Sequence, residues 1–171
     1  MARAFAFLIA VTLVAGCRSP GAASASAGGD GPGTGVVTHL VDGDTIDVDL
    51  GGGDVERVRL IGIDTPETVD PDRPVGCHGH EASALTASLV PVGTAVRLER
   101  DEEARDRYGR LLGYVFRVDD GLFVNEAIAA AGEAELLEIE PNTHYSARLR
   151  AAVDAARAAD RGLWADCEVP P

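Results

Sequence analysis

The chain has 171 residues, the length of one domain with extensions. Hydrophobic residues make up 46% and charged residues 25%, which excludes a wholly disordered or collagen-like chain and supplies a packed core. All 15 basic residues are Arg, set against 28 acidic ones for a formal charge of −13. A cationic nucleic-acid coat is therefore excluded, and any contact with a polyanion falls to a local guanidinium cluster or a bound cation.

In chain order, Met1, Ala2 and Arg3 precede an apolar run from Ala4 to Ala15, too short to span a bilayer and suited to a signal-peptide core. Residues 1–16 are expected to direct export. Leu13 to Cys17 resembles the lipobox of bacterial lipoproteins, in which the Cys becomes lipidated and N-terminal. The plainer alternative is a cleaved secretory signal with an incidental Cys17. The expected location is extracytoplasmic, either lipid-anchored to the cell membrane through Cys17 or secreted. Residues 17–35, almost entirely Gly, Ala, Ser, Pro and Thr after the Cys, read as a flexible linker.

Strands are predicted at Val36 to Val41, Thr45 to Leu50 and Val55 to Ile63, joined by turns at Asp42 to Asp44 and Gly51 to Asp54. Ala82, Leu85 and Leu89 recur at helical spacing within Glu81 to Val90. Two further strands follow at Ala95 to Glu99 and Arg110 to Val118. A helix over Asn125 to Ala131 stops at Gly132, and a last one runs from about Thr143 to Asp160. This order predicts an α+β fold, a five-stranded Greek-key β-barrel of OB type packed with three helices. The domain spans residues 36–167, with 168–171 as a C-terminal tail. Cys77 and Cys167 are expected to pair in an exported chain. The alternative is a zinc site at Cys77, His78 and His80, which lacks the second spaced ligand pair of structural zinc.

Three polar groups sit at strand ends, and each has a purely structural explanation. Asp42-Gly43-Asp44-Thr45 suits a hairpin turn. Asp64-Thr65-Pro66-Glu67, after Arg59 in the third strand, could be a helix N-cap with its capping box. Tyr108-Gly109-Arg110 could be turn chemistry beside a solvated charge. Two acidic clusters at neighbouring strand ends would nonetheless bring hard oxygen ligands together, as Ca²⁺ requires.

In this order, the blocks V-D-G-D-T, R-L-I-G-I-D-T-P-E, D-R-Y-G-R-L-L-G-Y-V, V-N-E-A, P-N-T-H and G-L-W resemble the staphylococcal nuclease (thermonuclease) family from about Val37 to Trp164. The resemblance implies an OB-fold barrel and a Ca²⁺-dependent phosphodiesterase acting on DNA and RNA, single strands preferred, releasing 3′-phosphates, from a monomer. It implies that Asp44, Asp64 and the carbonyl of Thr65 bind Ca²⁺ with Asp42 close behind, and that Glu67 is the general base. Arg59 and Arg110 would grip the scissile phosphate, while Arg107 and Tyr108 would touch a neighbouring one.

The chain also departs from the family pattern. Leu137 and Ile139 stand where the best-known member has two tyrosines lining the nucleotide pocket, with Glu138 and Glu140 beside them, so base stacking is expected to be lost. The segment Thr68 to His80, containing Cys77, replaces the loop of simpler members. The rival functional reading is a catalytically weak module that binds nucleic acid or a surface partner.

Overall fold

The computed structural model describes residues 33–69, 72 and 74–168. The signal segment, Cys17 and nearly all of the predicted linker lie outside them. Strand β1 (Thr34–Asp42) turns into β2 (Thr45–Asp49) and then β3 (Val55–Leu60), giving the expected meander. A short β4 (Gly62–Asp64) precedes α1 (Gly79–Leu89), and β5 (Ala95–Glu99) and β6 (Leu111–Arg117) follow. The chain ends in α2 (Val124–Ala131), β7 (Glu135–Leu137), α3 (Ser146–Ala158) and α4 (Leu163–Asp166).

The five long strands close into a barrel in the order β1-β2-β3-β6-β5. β3 and β6 run parallel, the other neighbours antiparallel, and β1 closes on β5. Alternation explains the barrel core. Val37, Ile46, Val48, Val58, Val96 and Val115 are wholly buried, while the polar residues between them face outward. The helices cover the barrel through Ile128, Leu149 and Val153. Buried Asn125 fastens α2 to the sheet: its Oδ1 accepts the Val115 N–H at 3.0 Å and its Nδ2 donates to the Ile61 carbonyl at 2.8 Å.

The structure corrects several expected boundaries. Thr34 and Gly35, read as linker, already pair with Arg97 and Val96. Their composition misled, because barrel closure there uses the backbone alone, and a Cβ on Gly35 would lie 2.5 Å from Val48 Cγ1. The third strand does not run unbroken to Ile63. It breaks at Ile61, and Gly62, at φ 82°, lets the chain pass so close to α3 that a Cβ would lie 2.3 Å from Leu149 Cδ1. The residues beyond, β4, pair instead with β7 as a separate two-stranded sheet. No helix begins at Asp64 to Glu67; α1 starts at Gly79, so the capping explanation of those residues falls away. A fourth helix, α4, adds one turn to the three expected.

Candidate active site

The β1–β2 hairpin, the segment after β4 and the turn before β6 meet at one end of the barrel. The hairpin corner is packed on both sides. A Cβ on Gly43 would lie 2.6 Å from Thr65 Oγ1 and 3.0 Å from Ala82 Cβ, and the Thr86 hydroxyl donates to the Gly43 carbonyl at 2.6 Å. Only glycine allows this approach.

Asp44 is thereby buried facing the segment after β4. Its Oδ2 accepts the Thr65 N–H at 2.9 Å and its Oδ1 accepts the Thr45 hydroxyl at 3.0 Å. Burial pushes its carboxyl above the usual carboxylate range, against the opposing pull of Arg59 and the Thr65 N–H. Arg59 reaches the same place because Thr45 and Arg59 are partners across β2 and β3. Its Nη1 donates to the carbonyls of Leu60 and Ile63, both at 2.7 Å. Its Nη2 lies 2.6 Å from Asp64 Oδ1 and 3.1 Å from Asp44 Oδ2. One buried guanidinium therefore bridges both carboxylates.

Glu67 is exposed, and its Oε1 accepts N–H groups from its own turn, Thr68 at 3.0 Å and Val69 at 2.7 Å. Asp42 holds that turn to the hairpin, its Oδ1 accepting the hydroxyls of Thr68 at 2.6 Å and Ser83 at 3.2 Å. Across the cleft, Asp106 organises the turn before β6. Its Oδ1 accepts the N–H groups of Tyr108 and Arg110, both at 2.9 Å, and its Oδ2 accepts Arg110 Nε at 2.7 Å. Burial alone would raise the Asp106 carboxyl, but the Arg110 guanidinium and these N–H groups outweigh it and hold it below its ordinary value. Gly109 turns the chain at φ 81°. The exposed ring of Tyr108 carries the Arg107 guanidinium at 4.7 Å and that of Arg110 at 5.5 Å.

A single cleft of about 710 Å³ is lined by all eight residues singled out for chemistry: Asp44, Arg59, Asp64, Thr65, Glu67, Arg107, Tyr108 and Arg110. Leu137 and Ile139 line it too, so the departures from the family pattern fall on its wall. Sequence reasoning missed Asp106 and Asn142. Asn142 fixes the neighbouring loop, its Oδ1 accepting the Glu103 N–H at 2.8 Å. For Asp106 the available signal was its place four residues before Arg110.

The groups of Asp44, Asp64 and Thr65 that could ligate a cation are all oxygens, the chemistry of a hard ion. Asp44 and Asp64 converge on one nitrogen, and the buried Thr65 hydroxyl beside them has no hydrogen-bond partner in the structure. These residues fit a hard divalent ion, even though the described residues hold no cluster of three or more His, Cys, Asp or Glu side chains. Two of the three residues of the zinc alternative, Cys77 and His78, are otherwise engaged. Cys77 and Cys167 are bonded to each other, and the two ring nitrogens of His78 contact Glu133 at 2.9 Å and Asp166 at 3.0 Å.

A closed five-stranded barrel braced by helices, with carboxylates and guanidiniums gathered at one end, defines an OB-type domain with a charged cleft. Residues 57–166 match the family described as staphylococcal nuclease homologue, and the chain belongs to that family. It is 41% identical over 129 residues to a thermonuclease of Staphylococcus intermedius, covering 75% of this chain and 74% of that protein. A thermonuclease of Staphylococcus hyicus is 39% identical over 130 residues, 76% of this chain and 75% of its own. The SPbeta prophage-derived endonuclease YokF of Bacillus subtilis is 39% identical over 128 residues, which span 74% of this chain and 42% of that protein.

Proposed function

We propose that this chain is a Ca²⁺-dependent nuclease, hydrolysing the phosphodiester bonds of DNA and RNA, preferably single-stranded, and leaving 3′-phosphates. The observation that carries the reading is the meeting of Glu67, Arg110, Asp44 and Asp64 in one cleft from three separate stretches of chain. A phosphodiester is already an anion, so attack by water is slow until its charge is balanced. Arg110 is suited to balance it, because Asp106 holds its Nε and leaves the terminal fork for two phosphoryl oxygens. Arg59 keeps the two carboxylates together and adds positive charge beside them.

Glu67 takes the proton of the attacking water, a contribution of about 10²- to 10⁴-fold. Arg107 and Tyr108, on the same wall, hold the next phosphate. Asp44, Asp64 and the Thr65 carbonyl would hold Ca²⁺, with Asp42 behind them. When bound, the ion supplies positive charge to the phosphate and makes water a better nucleophile. The aliphatic Leu137 and Ile139 offer the bases no stacking ring, so binding rests on phosphate contacts. Export and tethering at Cys17 complete the proposal, with the folded domain acting as a monomer outside the cytoplasm.

Cleavage of denatured DNA and of RNA is measured with Ca²⁺ and with chelator. Wild type should cut only with Ca²⁺. Glu67→Gln should lose turnover by orders of magnitude at little cost in binding, and Arg110→Lys should also lose it because a point charge cannot replace the fork. Equal rates for both variants, or a rate untouched by chelator, would overturn this mechanism, and a wild type that binds but does not cut would leave the binding-module reading in its place. For the tether, labelled fatty acid should enter wild type but not Cys17→Ser; an unlipidated wild type overturns it.

A further inference from the structure

The carboxylate of Glu67 accepts hydrogen bonds from the turn that follows it, so the path of that backbone decides where the base sits. One side of the turn is held to the hairpin by the Asp42–Thr68 hydrogen bond. The other side rests on a segment that contributes no residue to the cleft. The Gly76 N–H donates to the Glu67 carbonyl at 2.9 Å, and Gly79 N–H returns to the Gly76 carbonyl at 2.9 Å. The two stretches pack closely: a Cβ on Gly76 would lie 2.8 Å from Pro66 Cβ, and one on Gly79 2.8 Å from Thr68 Cγ2.

This supporting segment is fastened in turn to the far end of the chain. Cys77 is bonded to Cys167, directly after α4. The next residue, His78, in a left-handed conformation at φ 63°, reaches Glu133 at 2.9 Å and Asp166 at 3.0 Å. The α4 end is itself secured, with the Leu163 N–H donating to the Gly132 carbonyl at 2.9 Å. Two adjacent residues thus tie the segment beneath Glu67 to an abutment formed by the α2–β7 connection and α4.

We propose that the Cys77–Cys167 disulfide, with His78, is a positioning device for Glu67, which makes the rate of phosphodiester cleavage depend on thiol redox state. The proposal rests on the nuclease reading above for its rate effect, but not for its structural effect. A dithiol reductant supplies the two electrons and two protons that convert the bond to two thiols and is itself oxidised to a disulfide. Of the two ties to the abutment only the His78 contacts then remain, and the base drifts from the water it must face. Misplacement of a reacting group by about 1 Å costs on the order of 10²-fold in rate. With His78 still in place, the expected loss in kcat is about tenfold. Substrate and Ca²⁺ contacts do not involve these residues, so KM and the Ca²⁺ needed for half activity should hold.

The test compares the oxidised full chain, the same protein after dithiothreitol with a gain of two free thiols confirmed by titration, Cys77→Ser/Cys167→Ser, and His78→Gln. Each is assayed on single-stranded DNA and followed by amide hydrogen exchange at Thr68 and Val69, with the β2 and β3 amides as the folding reference. Support is a selective fall in kcat on reduction, absent in the double Ser variant because it is already low, together with faster exchange at Thr68 and Val69. His78→Gln, which keeps the disulfide and therefore the fold, should show a smaller change in the same direction. Unchanged kcat and exchange in the reduced protein and in His78→Gln would overturn the proposal, as would a loss confined to KM. If oxidised wild type cleaves nothing, the nuclease reading fails by itself, and the exchange measurement still decides whether this device holds the Glu67 turn.

Discussion

Arg59 has two demands placed on it that residue type alone does not reveal. It is a buried cation facing two carboxylates, and it also donates to two backbone carbonyls, so it is a structural rivet as well as the ligand proposed for phosphate. Removing one partner of a buried pair is costly because the other charge stays behind without compensation. Asp44 is the residue left behind, 6% exposed and already resisting ionisation because of burial. Arg59→Ala should therefore destabilise the fold by about 3–5 kcal/mol, read by urea denaturation. Arg110, half-buried and held by one nitrogen to Asp106, has no such structural burden. Arg110→Ala should cost under about 1 kcal/mol, the range of partly solvated pairs, while removing the fork proposed to bind phosphate. Equal stability losses in the two variants would mean that Arg59 is not the rivet its contacts describe.

Elements were legible where periodicity had room to act. The alternation in Thr45 to Asp49 and the apolar spacing in α1 each extend over enough residues to fix type and face. The three-residue strands β4 and β7 do not, and they pair only with each other, so nothing local marks them. That the candidate residues share one cleft was legible because they fall in short blocks whose order resembles the family's. How they are held was not: Asp106 reads as an ordinary surface acid, and only the folded turn shows it accepting three N–H groups. His78 is a second such case, since its partners lie 55 and 88 residues away. The hydrogen bond to Glu133 raises its pKa above the ordinary value of 6.5 against the effect of burial, with Asp166 and the charge of Glu81 adding to the rise. A histidine whose folded pKa is raised gives stability that is complete below its unfolded pKa and disappears as pH rises through the folded one. The melting-temperature difference between wild type and His78→Gln should thus be largest below about pH 6.5 and shrink above it. A difference that is constant from pH 5 to 9 would show that the two carboxylates do not hold a charged imidazole.

On the scale of the whole molecule, the formal charge of −13 opposes the substrate that the cleft is built to receive. The opposition is reinforced by the way the arginines are spent. Arg57 pairs with Asp47 at 2.9 Å and Arg105 with Glu56 at 2.5 Å, while Arg97, Arg117, Arg148 and Arg150 pair with Glu99, Asp120, Glu126 and Glu138. Six guanidiniums are thereby neutralised in place, and within the cleft the positive charge offered to a phosphate chain comes from Arg107 and from the fork of Arg110, whose Asp106 partner holds Nε. These two influences act over different distances. Repulsion by the acidic surface is felt far from the protein at low salt, where the Debye length is about 30 Å at 0.01 M, and is largely screened at about 10 Å near 0.1 M. The phosphate contacts act at hydrogen-bond distance and weaken only as salt rises further and counterions compete for the backbone. At fixed Ca²⁺, kcat/KM on a single-stranded oligonucleotide should therefore rise with added KCl, pass through a maximum near 0.1 M, and then fall. A dinucleotide, with little charge to be repelled, should lack the rising limb and keep the falling one. If the oligonucleotide rate declines steadily from the lowest salt, the local guanidinium field already governs approach and the acidic surface has no part in it.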